Sequence, residues 1–303
     1  MLIDTVINFC DETYCAYGER CGCAEGNCNH PSGKCSGSCY NCLYQIHFPD
    51  RALPYAKKEY DCVKMLFHYV CQYSYLYATE ILCALEHEWT FLNDLPYYNI
   101  FSLGCGGCAD LMAFDYLRQL KNTVMPISYL GIDINKNWIP IHQKIQKYCY
   151  ENSIRFKICY DDVFNVLNKY SIIDVNIVII SYLISYLYNT NQINEINILA
   201  RRLSQCVIHN KKTPLLLIIN DVNSNKRGRD YFCYFEMAVK ECGLKIKKRE
   251  YKYFDTGNLF AGQKIGSPYN VNHVTFEVPR KIKNIYHPST SINKTVQLLL
   301  EVS

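Results

Sequence analysis

From residue 98 onward the chain keeps returning to one arrangement: a short apolar run, a glycine or polar break, then a stretch whose apolar residues recur at helical spacing. The runs are residues 99–103 (NIFSL), 128–134 (SYLGIDI), 155–160 (RFKICY), 174–187 (DVNIVIISYLISYL) and 215–221 (LLLIIND). Residues 155–160 alternate apolar and polar, while the nearly continuous β-branched run 174–187 reads as a strand buried on both faces, as in parallel sheets. Strands alternating with helices predict an α/β fold, a mostly parallel sheet with helices on both faces. Residues 244–254 and 273–278 (HVTFEV) are expected to close the sheet as a terminal antiparallel pair. Upstream, residues 61–92 carry apolar positions at helical spacing until Asp94-Leu95-Pro96 stops the pattern. Three parts follow: a cysteine-rich segment (1–50), a helical cap or linker (51–95) and the α/β domain (96–303).

The break after the first run, residues 99–110 (NIFSLGCGGCAD), packs three glycines into four positions. Glycine there lets the backbone turn tightly and approach a ligand with no Cβ in the way, as a nucleotide-type cofactor pocket at a strand end requires. Gly104, Gly106 and Ala109 also fit the dinucleotide pattern G-x-G-x-x-G/A, a weak signal alone. The second run ends in Asp133, a carboxylate placed to accept from both hydroxyls of a ribose, which suits either kind of adenosine cofactor.

The loop SLGCGGCADL resembles the glycine-rich first motif of class I, Rossmann-like S-adenosylmethionine (SAM) methyltransferases, and strand order and motif positions extend the resemblance over about residues 60–280. It implies SAM as cofactor. The backbone of Ser102, Gly104, Cys105 and Gly106 would face its methionine portion, with Asp110 a candidate for the amino group or an ordinary first-turn helix acid. Asp133 and Ile134 would lie at the ribose, and Asp161, Asp162 and Val163 at the adenine. Ser181 and Tyr182 would face the methyl donor and the acceptor, and Tyr182 or Asp221 would serve as general base. Two positions depart from the family pattern: Ser102 replaces the usual acidic residue, and Cys108 the third glycine. With no His or Lys close by in sequence, Cys105 and Cys108 are expected to be small space-fillers. Tyr73, Tyr75 and Tyr77 could line a lid over the cofactor, but they read more simply as core, as do His68 and His87.

Eight of the 18 cysteines, Cys10, Cys15, Cys21, Cys23, Cys28, Cys35, Cys39 and Cys42, fall in the first 42 residues, with His30 and His47 nearby. No secretion signal precedes them, which argues against disulfides. Zinc is the leading reading, since spacings such as Cys39-x-x-Cys42 suit thiolate ligands and eight cysteines are enough for two sites. Cys35-x-x-x-Cys39-x-x-Cys42 also has the spacing of the radical SAM motif, but no barrel of βα units follows it. Gly18, Gly22, Gly26, Gly33 and Gly37 interrupt the segment, so metal would supply its folding energy, and chelation is expected to unfold the first 45 residues.

The formal net charge of the 303 residues is only +4, yet residues 201–283 hold 17 Lys and Arg against seven Asp and Glu. Such a basic half could hold a polyanion. No Asn/Asp-Pro-Pro-Tyr/Phe or Pro-Cys follows the fourth run, so the motifs with which base methyltransferases act on a flipped base are absent. Some ribosomal RNA guanine methyltransferases pair a zinc knuckle with this fold, which makes RNA the expected acceptor. The alternatives are a protein or small-molecule acceptor, with the cysteine-rich segment gripping a protein partner, or a SAM-binding protein without turnover. No run reaches 18 uninterrupted apolar residues, and a cytoplasmic protein without membrane contact is expected.

Overall fold

The computed structural model describes residues 1–17, 38–47, 60–170, 172–208, 214–224, 228–254, 265–269, 276–288 and 295–303. Two helices open the chain, α1 (Leu2–Ala16) and α2 (Cys39–His47), followed by the long α3 (Val63–His87) and the short α4 (Trp89–Asn93). The alternating part then runs β1 (Tyr98–Leu103), α5 (Ala109–Leu120), β2 (Ile127–Ile132), α6 (Ile139–Glu151), β3 (Arg155–Cys159), α7 (Val163–Lys169), β4 (Ile177–Ser181), α8 (Leu183–Asn189), α9 (Ile193–Ile208) and β5 (Leu215–Val222). After α10 (Phe232–Glu241) come β6 (Ile246–Tyr253), β7 (Ser267–Pro268), α11 (Arg280–Tyr286) and β8 (Thr295–Val302).

These strands form one sheet in the order β3-β2-β1-β4-β5-β8-β6-β7. Strands β1 to β5 are parallel, and β8 lies antiparallel between β5 and β6. Strand period explains the layering. Tyr98, Ile100, Ile177, Ile179, Leu216 and Ile218 turn to one face, where they pack with α1, α3, α5 and α6. Phe101, Leu103, Val178, Ile180, Leu217 and Ile219 turn to the other, under α7, α8, α9 and α10.

One expected pairing is corrected. The partner that closes the sheet beside β6 is β8, not residues 273–278. A strand inserted between two others is buried on both faces, and TVQLLLEV supplies that continuous burial. Of HVTFEV, His273 to Thr275 lie outside the described residues, while Phe276 to Val278 run without strand pairing into Pro279 and α11.

Residues 2–16, grouped by sequence with the cysteine-rich segment, form an amphipathic helix docked in the main core. Leu2, Ile3, Val6, Ile7 and Cys10 are buried against α3. The Leu2 N–H donates to Asp115 Oδ2 on α5 (2.9 Å), and Tyr286 Oη on α11 donates to Asp11 Oδ1 (3.1 Å). No helix among the described residues is long and apolar enough to cross a membrane.

Candidate functional site

The strand order reverses between β1 and β4, and a cavity of about 410 Å³ opens there at the carboxyl ends of the strands, the place where open α/β sheets bind ligands. Its floor is the glycine loop. Gly104 (φ +67°) and Gly106 (φ +46°) adopt left-handed backbone that a side chain would strain, and Cys108 (φ 57°) takes the same region just before α5. Asp133 ties the loop to β2: its Oδ2 accepts from the Gly106 N–H and its Oδ1 from the Asn135 N–H, both at 2.8 Å. Burial raises the Asp133 pKa, against the pull of those two backbone donors.

Nine residues expected at the cofactor or acceptor line this one cavity: Gly104, Gly106, Asp133, Ile134, Asp161, Asp162, Val163, Ser181 and Tyr182. Asp162 caps α7, its Oδ1 accepting from the Phe164 N–H at 2.7 Å. Exposed Asp161 accepts from the Asp162 N–H and from Asn165 Nδ2, and these hydrogen bonds lower its pKa. The run 174–187 breaks where the site needs it to: β4 ends at Ser181, and Tyr182 turns into left-handed backbone (φ 57°) ahead of α8.

Four expected residues do not line the cavity. Ser102 and Asp110 are buried behind the loop, where the Tyr129 hydroxyl donates to Asp110 Oδ1 (2.9 Å). Cys105 is buried beneath it. Asp221 is buried at the start of α8, with Oδ2 accepting from the Ser185 N–H (3.0 Å) and Oδ1 from the Val222 N–H (2.7 Å). Burial pushes its pKa up to about 6 despite those donors. In the described geometry it anchors the start of α8.

Sequence reasoning missed the wall of the cavity. Tyr60, Tyr69, Trp138 and Tyr186 join Tyr182 in the lining. On α3, Tyr69, Tyr73 and Tyr77 recur every fourth residue on one face, with Tyr73 and Tyr77 stacked at 5.6 Å, Tyr69 5.6 Å from Trp138, and Tyr77 4.6 Å from Tyr182. Tyr75 is buried on another face of the helix, in the core as expected. His68 is likewise buried, and burial pushes its pKa down to about 4. The same face of α3 carries Glu80, fully buried directly behind Tyr182. The Tyr182 hydroxyl donates to the Glu80 carboxylate (2.8 and 2.9 Å), Thr295 Oγ1 donates at 2.6 Å and Asn220 Nδ2 at 2.9 Å. Burial raises Glu80 to about 7, with these hydrogen bonds opposing. The signal in the sequence was a carboxylate on the same helical face as Tyr69, Tyr73 and Tyr77.

Cys105 and Cys108 are buried, as space-fillers would be, but they have an imidazole neighbour that the sequence spacing did not show. His142 of α6, far away in sequence, stands beside them, and the three ligating atoms lie within 4.8 Å of one another. Burial raises the Cys108 thiol, but hydrogen bonding to Cys105 and the nearby imidazole outweigh it and bring Cys108 down to about 7.

Of the cysteines expected to hold zinc, Cys10 points into the core of α1, and burial and neighbouring Cys71 drive its thiol pKa up. Cys15 and Cys39 converge on Tyr14, and Cys42 lies one turn beyond Cys39 on α2. Cys21, Cys23, Cys28 and Cys35 lie outside the described residues. Among the described residues, the thiols of Cys15, Cys39 and Cys42 do not come together as a group within 4.8 Å, and Cys10 faces the core.

No protein-family model and no curated protein matches the chain. Among solved structures, the fold is similar to a SAM-dependent methyltransferase from Archaeoglobus fulgidus (TM-score 0.41, 13% identity, covering 86% of this chain and 99% of that one). It is also similar to magnesium protoporphyrin IX methyltransferase (ChlM) from Synechocystis PCC 6803 (TM-score 0.43, 12% identity, 87% and 91%). A third likeness is to the plantazolicin methyltransferase BpumL (TM-score 0.41, 12% identity, 75% and 84%).

Proposed function

We propose that the chain is a SAM-dependent methyltransferase. The observation that carries this reading is the position of Asp133 in a cavity at the β1/β4 reversal of a sheet whose antiparallel β8 sits between β5 and β6. Simple dinucleotide folds usually lack that inserted strand.

The cofactor, when bound, supplies a methyl group activated on a sulfonium. Each Asp133 oxygen keeps acceptor capacity beyond its one backbone bond, so the carboxylate would hold the ribose hydroxyls. Asp162 and Val163 would flank the adenine, and the Gly104–Gly106 backbone the methionine portion. The charged residues lining the described cavity are all acidic, Asp61, Asp133, Asp161 and Asp162, which favours a cationic ligand. Alignment and exclusion of water by the aromatic wall would supply most of the rate. Where the acceptor must lose a proton, Tyr182 would pass it to Glu80.

For the acceptor, a small molecule or a protein side chain is better supported than RNA. Four of the 17 basic residues behind the RNA reading are ion-paired, Arg201 with Glu241, Lys248 with Glu88, Arg249 with Glu236 and Lys281 with Asp11, while Lys211, Lys212, Lys226 and Arg227 lie outside the described residues. Zinc on the N-terminal cysteines remains part of the proposal, resting on their number and on the Cys39-x-x-Cys42 spacing.

Calorimetric titration with S-adenosylhomocysteine tests the cofactor. Asp133→Ala should weaken binding by about 2 kcal/mol, because a charged acceptor of hydroxyl donors is removed. Unchanged affinity in a folded variant would refute the assignment.

A further inference from the structure

The glycine loop rests on a cluster that the cofactor does not need. Cys105 Sγ, Cys108 Sγ and a His142 ring nitrogen lie within 4.8 Å of one another, and all three residues are buried. The two cysteines have the C-x-x-C spacing of zinc ligands, fixed by a tight turn in which the Cys108 N–H donates to Cys105 O at 2.8 Å. The imidazole is held from both sides, Nδ1 at 2.8 Å from the Tyr160 hydroxyl and Nε2 at 2.7 Å from Gly106 O. An outer partner on one ring nitrogen is what orients a metal-ligating histidine. One of these two contacts is exchanged for a metal bond on uptake, and the other remains as the orienting hydrogen bond.

We propose that Cys105, Cys108 and His142 bind one thiophilic metal ion, with zinc as the type, leaving a fourth position for water. Two thiolates against a divalent ion give a site with no net charge, the form in which a buried cluster is least costly. Binding releases the two thiol protons and changes no oxidation state. The ion would join the loop that carries Gly104 and Gly106 to α6. That consequence rests on the methyltransferase reading; the metal site itself does not.

The test uses the full chain, reduced and stripped of metal, with no cofactor present. Cobalt(II) is titrated first and then displaced with zinc, comparing wild type with Cys105→Ser/Cys108→Ser and with His142→Asn. Wild type should take up one equivalent more than the double variant, with thiolate-to-cobalt absorption that the double variant lacks in proportion. The count is a difference, so metal on the N-terminal cysteines cancels. If the variants fail to fold, the ring nitrogen resonances of His142 in wild type give the answer, since they should shift when zinc is added. Equal metal counts in wild type and folded variants, unmoved His142 resonances, or a Cys105–Cys108 disulfide that persists under reducing conditions would each overturn the proposal. Metal uptake without any S-adenosylhomocysteine binding would support the site while counting against the methyltransferase.

Discussion

Glu80 has no exposed surface, and its carboxylate is reached by three side-chain donors. Its folded pKa of about 7 stands above the 4.5 of an exposed glutamate, so folding takes up a proton at pH values between the two. The stability tied to that proton is complete below pH 4.5 and is lost as pH rises through 7, a swing of roughly 3 kcal/mol. Methyl transfer should run the opposite way, rising as Glu80 ionises and becomes able to receive a proton through Tyr182. Thermal melts across this range should therefore show Glu80→Gln flattening the loss of stability above pH 6. Asp221, raised from 3.8 to about 6, keeps a slope of the same sign below that. An unchanged slope above pH 6 in the variant would show that Glu80 is not the titrating group. Neither behaviour could be foreseen from the chain, because Glu80, Thr295 and Asn220 come from α3, β8 and β5 and meet only in the fold. The same holds for His142 beside Cys108, whereas Asp133 was legible because its place at a strand end is local.

Strands β1, β2, β4 and β5 were legible because each is a mostly apolar run bounded by polar or glycine residues, as burial in a parallel sheet demands, and β3 because RFKIC alternates as an edge strand does. The partner of β6 was not, since antiparallel pairing across more than forty residues leaves no mark in local spacing, and the alternating HVTFEV reads as a strand as readily as the continuous TVQLLLEV. α1 was hidden by its neighbours. Cysteine density drew residues 1–50 into one segment, although the helical period of Leu2, Ile3, Val6, Ile7 and Cys10 marks a buried stripe. The helix stands on core packing and not on metal. Ile7→Ala should then cost 2–5 kcal/mol, about the usual penalty for truncating a fully buried aliphatic side chain, read as a lower denaturation midpoint of the whole domain. A chelator should leave hydrogen-exchange protection of residues 2–16 in place, in contrast to the expectation from sequence that the first 45 residues unfold together.

The same contrast between composition and placement decides how the protein as a whole meets its acceptor. A local balance of +10 over residues 201–283 suggests a polyanion clamp, but a clamp needs basic groups whose counterions can be released. Lys248 already faces Glu88, Glu250 and Glu301, and Arg249 bonds to Glu236 at 3.0 Å. Around the cavity the sign is reversed, with Asp61, Asp133, Asp161 and Asp162 at its edge, so a phosphate backbone approaching the methyl donor would meet repulsion within the screening distance of about 8 Å. A small or peptidic acceptor, neutral or cationic, meets none, and the aromatic wall of Tyr60, Tyr69 and Tyr186 offers it apolar surface. Labelled methyl from SAM, offered to RNA, protein and small-molecule fractions in parallel, should accordingly enter the last two. The transfer rate should change little between about 50 and 200 mM salt, where a binder making many phosphate contacts loses a thousandfold or more in affinity. Label in RNA together with a steep loss of transfer over that salt range would instead mean that basic residues other than the ion-paired ones above hold the acceptor.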